Sequence, residues 1–308
     1  MTAYRGESEG ALPLLDIWTV FRKNTMKTDI FRPLSKAEIF TNARTRFYYK
    51  GNEKIWLDTL ICDKPIFNPL KAEKVSNGNS STPAPIISES SDPDSAERAS
   101  RRARNKVFEL CLCNEDLRYF ATFTLDSAKI DRKKYDIIIK KLNAWLDYRV
   151  RNLGLKYIIV AEYHSNKAIH FHALMNDVLP RVDSGTVIIP ERDKPVKIAT
   201  ALRLHPNRDE WQTVYNVPSW KLGFSTLMDC EEGPGTHSRV ATCGYISKYI
   251  TKGGKCGGRY YLSGGDLKRP EAVYYNAEFS ADTADGMNVK EFEICGSSFV
   301  KTKPNRYE

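Results

Sequence analysis

The chain has 308 residues, room for one large domain or two smaller ones, and 41% hydrophobic and 28% charged residues are typical of a globular protein. Its 47 lysines and arginines outnumber 38 acidic residues, and the formal net charge of +9 suits a polyanionic partner such as nucleic acid or an anionic membrane surface. We expect no membrane span, because no apolar stretch reaches about 18 residues, no secretory signal, and no zinc ribbon, because the seven cysteines form no CxxC pair.

Composition divides the chain into four segments. Residues 1–72 form an N-terminal section of unassigned role, whose apolar groups predict a helix and one or two strands. Residues 73–97 are rich in Ser, Pro, Asn and acids, which is typical of a flexible linker. Residues 98–275 form the main domain, and residues 276–308 a C-terminal tail.

Periodicity within the main domain predicts alternating helices and strands. In chain order these are a helix at 96–112, a strand at 119–125, a helix at 131–153, strands at 156–164 and 169–175, a strand near 222–228 and a helix at 243–252. An insertion at 177–220 carries five prolines and a short predicted helix near 206–215. This order predicts an α+β fold, a central mostly antiparallel sheet flanked by helices, with an extra N-terminal section.

Two neighbouring strands carry candidate metal ligands. Strand side chains alternate between faces, so His170 and His172 share one face while Phe171 points into the core. Glu162 and His164 share a face of the preceding strand, and a tight hairpin would set Glu162 opposite His172 and His164 opposite His170. Two histidines and a carboxylate suit a divalent cation. The same set would also hold catalytic zinc or non-haem iron, and the alternative is a polar outer face with two chance histidines.

The last predicted helix carries a candidate nucleophile. Tyr245 and Tyr249 are four residues apart and therefore share one face of the helix, and Lys248 and Lys252 each follow a tyrosine by three residues. Two phenols beside two ammonium groups can offer a nucleophile near bound phosphate. The alternative is that both tyrosines only pack on the sheet.

Three blocks of the chain, in order, resemble the motifs of the HUH endonuclease superfamily, in which U is a bulky apolar residue. More closely they resemble the two-tyrosine rolling-circle replication initiators of small single-stranded DNA phages, of the microvirus or gokushovirus type. The matching blocks are Phe123-Thr124-Leu125-Asp126, His170-Phe171-His172 and Tyr245-x-x-Lys248-Tyr249-x-x-Lys252. The resemblance covers about residues 98–260. Asp126 stands where the family often has Thr, and the third metal ligand varies in the family, so we assign it to Glu162 with His164 as second choice.

The resemblance implies a ferredoxin- or RRM-like HUH nuclease fold and metal-dependent nicking and rejoining of single-stranded DNA. Tyr245 or Tyr249, assisted by Lys248 and Lys252, would attack the scissile phosphate and form a 5′-phosphotyrosine, with Mg²⁺ or Mn²⁺ bound. Rejoining would need no ATP, which agrees with the missing phosphate loop, GxxxxGK followed by Ser or Thr. Implied partners are an origin hairpin or phage replicative form and a host helicase and DNA polymerase, in the cytoplasm of a bacterial host and without a membrane.

Several basic side chains outside the motifs are candidates for DNA contacts, with solvated charge as the alternative for each: Arg101, Arg102, Arg104, Arg203, Arg208, Lys255 and Arg259. Rival functions are a relaxase or transposase with the same chemistry, a non-enzymatic single-stranded DNA-binding regulator of replication, and a zinc hydrolase. Cleavage of an origin hairpin with Mn²⁺ separates the nickase from the binding protein.

Overall fold

Two antiparallel sheets and four α-helices make up the part of the chain that the computed structural model describes, residues 40–69, 93–163, 168–190, 192–230, 239–253, 255, 258–280 and 287–305. The helices are α1 (Pro93–Cys113), α2 (Tyr135–Leu153), α3 (Ile198–Leu204) and α4 (Arg239–Gly253). The strands are β1 (Ala43–Lys50), β2 (Glu53–Cys62), β3 (Tyr119–Phe123), β4 (Tyr157–Tyr163), β5 (Ile169–Met175), β6 (Val182–Ile189), β7 (Arg192–Lys197), β8 (Gln212–Asn216), β9 (Ser225–Asp229), β10 (Leu262–Gly264), β11 (Glu271–Tyr275), β12 (Met287–Ile294) and β13 (Ser297–Pro304). The predicted α+β class is confirmed, and the helix expected near the N-terminus lies outside the described residues.

The larger sheet has eight strands in the order β10-β4-β5-β3-β9-β8-β6-β7. One face of its central strands packs on α2, whose buried residues Ile138, Leu142 and Leu146 are four apart and form one apolar stripe. α2 ends at Gly154, which adopts φ 68°, the left-handed conformation that favours glycine at a helix end. The opposite face of the sheet packs on α1 and α4. The core therefore lies in two layers, one on each side of the sheet.

A second, five-stranded sheet combines strands from both ends of the described chain, in the order β11-β1-β2-β13-β12. Tyr48 and Leu57 of this sheet are buried in the same apolar cluster as Val107 of α1. Arg46 binds Asp58 at 2.5 Å and Glu109 of α1 at 2.8 Å. An apolar contact and a half-buried ion cluster thus join this sheet to α1.

The insertion at 177–220 extends the larger sheet with β6, β7 and β8. The helix predicted near 206–215 is wrong: these residues form a 3₁₀ turn, Arg208–Glu210, followed by β8. The short helix lies earlier, at Ile198–Leu204, and it ends there because the residue before Pro206 is disfavoured in the α conformation. Among the described residues, no helix combines the length and the apolar character needed to cross a membrane.

Candidate active site

The β4–β5 hairpin brings three candidate metal ligands together, although in a different register from the predicted one. Glu162 lies opposite His170, and Val160 lies opposite His172. The predicted pairing of Glu162 with His172 is therefore wrong by two residues, because the hairpin closes at Tyr163 and Ile169 with a longer connection than a tight turn. A two-residue shift keeps every side chain on its face of the sheet, so the cluster survives the difference. His164, whose predicted partner was His170, lies outside the described residues.

The ligand atoms of Glu162, His170 and His172 form a close triangle that could hold a metal ion. The Nε2 atoms of the two histidines are 3.0 Å apart, and each is within 2.9 Å of Oε2 of Glu162, at 2.9 Å from His170 and 2.8 Å from His172. Both imidazoles are buried, and Glu162 is half-buried at the rim.

Hydrogen bonding alone does not satisfy this triangle. Each Nε2 carries at most one hydrogen, so an ionised Glu162 and two imidazoles can make hydrogen bonds along at most two of the three edges. The third edge then sets two hydrogens or two lone pairs against each other. A cation bound by Glu162, His170 and His172 would turn all three contacts into favourable ones, so the donor set fits a divalent metal ion.

The charge of Glu162 is stabilised by its neighbours. Burial raises the pKa of this carboxyl, but hydrogen bonds and positive charge from His172 and His170 outweigh burial and hold the pKa below its ordinary value. Glu162 is therefore an ionised acceptor at neutral pH, which is the form that a cation binds.

β3 adds two residues that the sequence analysis did not identify as part of the site. Thr122 lies opposite His172, and its Oγ1 is 3.2 Å from Nδ1 of that histidine. Phe120 lies on the same face of β3, and its ring stacks on His172 with centroids 5.6 Å apart. The two-residue alternation of β3 was the available signal, but only the pairing of β3 with β5 identifies which side chains meet the histidine.

α4 brings both tyrosines to this face of the sheet. The ring of Tyr249 stacks on His172 with centroids 4.0 Å apart, and the Tyr249 hydroxyl donates a hydrogen bond to the Tyr245 hydroxyl at 2.6 Å. The ring of Tyr245 packs edge-on against Phe120, and 47% of this tyrosine is exposed. On the other side of α4, Ile246 and Ile250 are buried against the sheet and α1. The i, i+4 spacing therefore gives α4 one apolar side and one side that meets the histidines.

Tyr249 is held in its neutral form. Burial raises the pKa of its phenol well above the ordinary value, and the hydrogen bond to Tyr245 and the negative charge of Glu162 raise it further. A cation at Glu162 would oppose the last of these contributions. Lys248 is exposed on α4, and the structure describes only the backbone of Lys252.

The basic residues predicted to contact DNA are exposed and spread over several elements. Arg101, Arg102 and Arg104 lie on α1, where Arg101 pairs with Glu97 at 2.8 Å. The others are Arg203 on α3, Arg208 in the 3₁₀ turn, and Lys255 and Arg259 after α4. No contact among those that the structure describes joins any of them to the triangle of ligands.

Comparison with known families gives one match. Comparison with curated proteins gave no significant match, and comparison with solved structures gave none either. Residues 118–254, a little under half of the chain, match a family model for replication-associated proteins of the ORF2 group. The matched segment runs from β3 to the end of α4 and so contains every residue of the ligand triangle and both tyrosines. The match supports a replication-associated protein that acts on DNA.

Proposed function

We propose that this protein is a rolling-circle replication initiator of the two-tyrosine HUH type, which nicks and rejoins single-stranded DNA. The observation that carries the proposal is the stacking of Tyr249 on His172, which puts a pair of hydrogen-bonded phenols beside three convergent metal ligands. A metal ligand set alone is compatible with many reactions, and a tyrosine pair alone is common in cores. Their combination in a segment that matches a replication-associated family favours tyrosine-mediated DNA cleavage.

Glu162, His170 and His172 would hold the metal ion. When bound, the ion would act as a Lewis acid that stabilises negative charge on the oxygens of the scissile phosphate. The edges of the ligand triangle, 2.8 to 3.0 Å, favour Mg²⁺ or Mn²⁺. Adjacent ligands at 2.0–2.1 Å from an octahedral ion are about 3.0 Å apart, whereas the wider angles around a tetrahedral zinc ion require about 3.3 Å.

The covalent step is a transesterification by a phenol oxygen. The oxygen of one tyrosine forms a bond to the scissile phosphorus, and the bond from phosphorus to the 3′ oxygen breaks. The phenol loses its proton, and the departing 3′ oxygen gains one to become a free 3′-OH that can prime synthesis. The number of phosphate ester bonds is unchanged, so the reverse reaction can rejoin the strand without ATP.

The two phenols have a physical use as a pair. With hydroxyls 2.6 Å apart, Tyr245 and Tyr249 can reach the same phosphate position. While one holds the 5′ end of a cut strand, the other can attack a second copy of the site, and transfer of the held end then closes a circle. The hydrogen bond donated by Tyr249 would also stabilise a Tyr245 oxygen that has lost its proton.

Basic side chains would supply attraction for the DNA backbone. Lys248 on α4 is the one nearest in sequence to both tyrosines, and Lys252 would follow it on the same helix. Arg101, Arg102 and Arg104 on α1, with Arg203, Arg208, Lys255 and Arg259, are proposed to bind phosphates away from the scissile bond.

The experiment uses single-stranded oligonucleotides tiled across the DNA that encodes the protein, incubated with Mn²⁺ and separated on a denaturing gel. We expect a nick at one site and a denaturant-resistant protein–DNA adduct. Tyr245→Phe or Tyr249→Phe alone should impair repeated transfer, and the double substitution should abolish the adduct. An adduct formed by the double variant would refute the nucleophile assignment.

A second pair of variants tests the metal ligands. His170→Ala combined with His172→Ala should abolish nicking and retain much of the DNA binding. His205→Ala is the matched control, because His205 pairs with Glu210 outside the site and its loss should leave nicking intact. Metal-dependent cleavage by the double histidine variant would refute the ligand set. Tight DNA binding by the wild-type protein with no cleavage of any oligonucleotide would instead favour a non-enzymatic regulator.

A further inference from the structure

Phe224 is an aromatic side chain held in solvent. Its exposed fraction is 79%, the largest among the large hydrophobic side chains in the ranges that the structure describes. An apolar ring in water contributes little to folding, and single exposed apolar residues are common on protein surfaces. The position of Phe224 relative to the candidate metal centre makes this ring different from an incidental one.

The backbone around Phe224 is fixed by hydrogen bonds to the segment after β3. The N–H of Thr124 donates to the Phe224 carbonyl at 2.8 Å, and the N–H of Phe224 donates to Oγ1 of Thr124 at 3.1 Å. The N–H of Asp126 donates to the Leu222 carbonyl at 2.8 Å. Between them, Gly223 approaches so closely that a Cβ there would overlap the carbonyl oxygen of Thr124. The exposed ring therefore stands on a well-anchored backbone.

Sheet register aligns Phe224 with the metal ligands. Glu162 lies opposite His170 on the β4–β5 pair. Phe123 lies opposite both Phe171 and Ser225, so the next row of the sheet contains His170, Thr124 and Phe224. Neighbouring strands are about 4.8 Å apart, so the Phe224 backbone lies about 10 Å across the sheet from that of His170.

Phe224 also belongs to the face of the sheet that carries the histidines. It directly precedes β9, and the alternation of β9 puts it on the same face as Thr226 and Met228. Met228 packs in the same apolar cluster as Ile246 of α4. A strand of DNA with a phosphate at the ligand triangle could thus extend along this row and reach the ring.

We propose that Phe224 is a stacking platform for a nucleobase of the single-stranded DNA bound at the candidate metal centre. This inference rests on the proposed function and adds a substrate contact to it. A nucleobase suits the site because every base has a flat π face, so an aromatic ring binds single strands without a sequence requirement. Exposed Lys221, three residues earlier, and the net charge of +9 favour a polyanion over an apolar partner.

The test compares DNA affinity and its salt dependence in Phe224 variants, with fluorescent single-stranded oligonucleotides and fluorescence anisotropy. Phe224→Ala should weaken binding by about 5- to 150-fold, the range for loss of one base–aromatic stack. The slope of log affinity against log salt concentration should stay at the wild-type value, because no phosphate contact is lost. Phe224→Trp should retain affinity. Tyr148→Ala is the matched control, since Tyr148 is 61% exposed on α2 and so packs on the opposite face of the sheet.

A second readout locates the base. 2-Aminopurine at successive positions of the oligonucleotide should be quenched at a position close to the nick, and Phe224→Ala should relieve that quenching. Unchanged affinity and unchanged quenching in Phe224→Ala, with a wild-type protein that nicks DNA, would overturn this inference and leave the proposed function standing. A wild-type protein that neither binds nor nicks single-stranded DNA would overturn both.

Discussion

Replacing Thr122 with valine tests whether β3 positions the metal ligand His172. If Nε2 of His172 binds a cation, the hydrogen of the ring must lie on Nδ1, and Oγ1 of Thr122, 3.2 Å away, accepts it. Valine has nearly the shape of threonine and no oxygen, so packing is kept and this acceptor is lost. His172 is only 7% exposed, so water does not readily replace the acceptor.

The size of the effect follows from that loss. A buried donor that loses its acceptor costs about 1–3 kcal/mol. Without metal, the ring can move its hydrogen to Nε2 and donate to Glu162, so most of the cost falls on the metal-bound state. We therefore expect Thr122→Val to weaken metal binding by about 10- to 100-fold, as is usual for partners of metal-ligating histidines.

The assay is a Mn²⁺ titration followed by the electron paramagnetic resonance signal of the free ion, which needs no DNA and no activity. Thr226→Val is the control, because Thr226 lies opposite Thr122 on β9, one strand further from His172. Its affinity for Mn²⁺ should equal that of the wild type. If Thr122→Val also binds Mn²⁺ with wild-type affinity, the orientation of His172 by Thr122 is refuted.

Two further predictions concern stability. Phe171 is 1% exposed between the two histidines, and Phe171→Ala should reduce the free energy of unfolding in urea by about 3–5 kcal/mol, a loss that an unchanged urea midpoint would contradict. Burial raises the pKa of Asp58, but hydrogen bonds and charge from Arg46 and Lys301 outweigh it and lower the pKa below the ordinary value. Ionised Asp58 therefore stabilises the fold above about pH 3.9, and this contribution is lost as the pH falls through the folded-state pKa. Urea unfolding of Asp58→Asn should lose less stability than the wild type between about pH 7 and about pH 3, and equal losses would contradict the assignment.

Local patterns in the sequence predicted the centre of the site well. Alternation along β4 and β5 identified Glu162, His170 and His172 as neighbours, and helical spacing put Tyr245 and Tyr249 on one side of α4. Alternation determines which face a residue occupies, but the length of the hairpin connection determines the register. The predicted register was therefore wrong by two residues, while the set of converging side chains was not affected.

Contacts between distant strands were beyond these patterns. Thr122 meets His172 only because β3 pairs with β5, fifty residues further along the chain. The five-stranded sheet depends on pairs such as Ala43 with Tyr275, and its strand β12 has no regular apolar alternation. The helix expected at 206–215 failed for another reason, since Pro206 ends the preceding helix and the following residues pair with β6.

The five-stranded sheet has a practical consequence for anyone who divides this protein into fragments. A piece limited to residues 98–275 would keep β11 but remove β1, the strand with which β11 pairs. It would also uncover the side of α1 that Tyr48 and Leu57 cover, and leave Glu109 without Arg46. Such a fragment is expected to aggregate through its bare α1 surface and unpaired strand edge. Recombinant proteins for the experiments above should therefore retain residues 40–69 and 287–305.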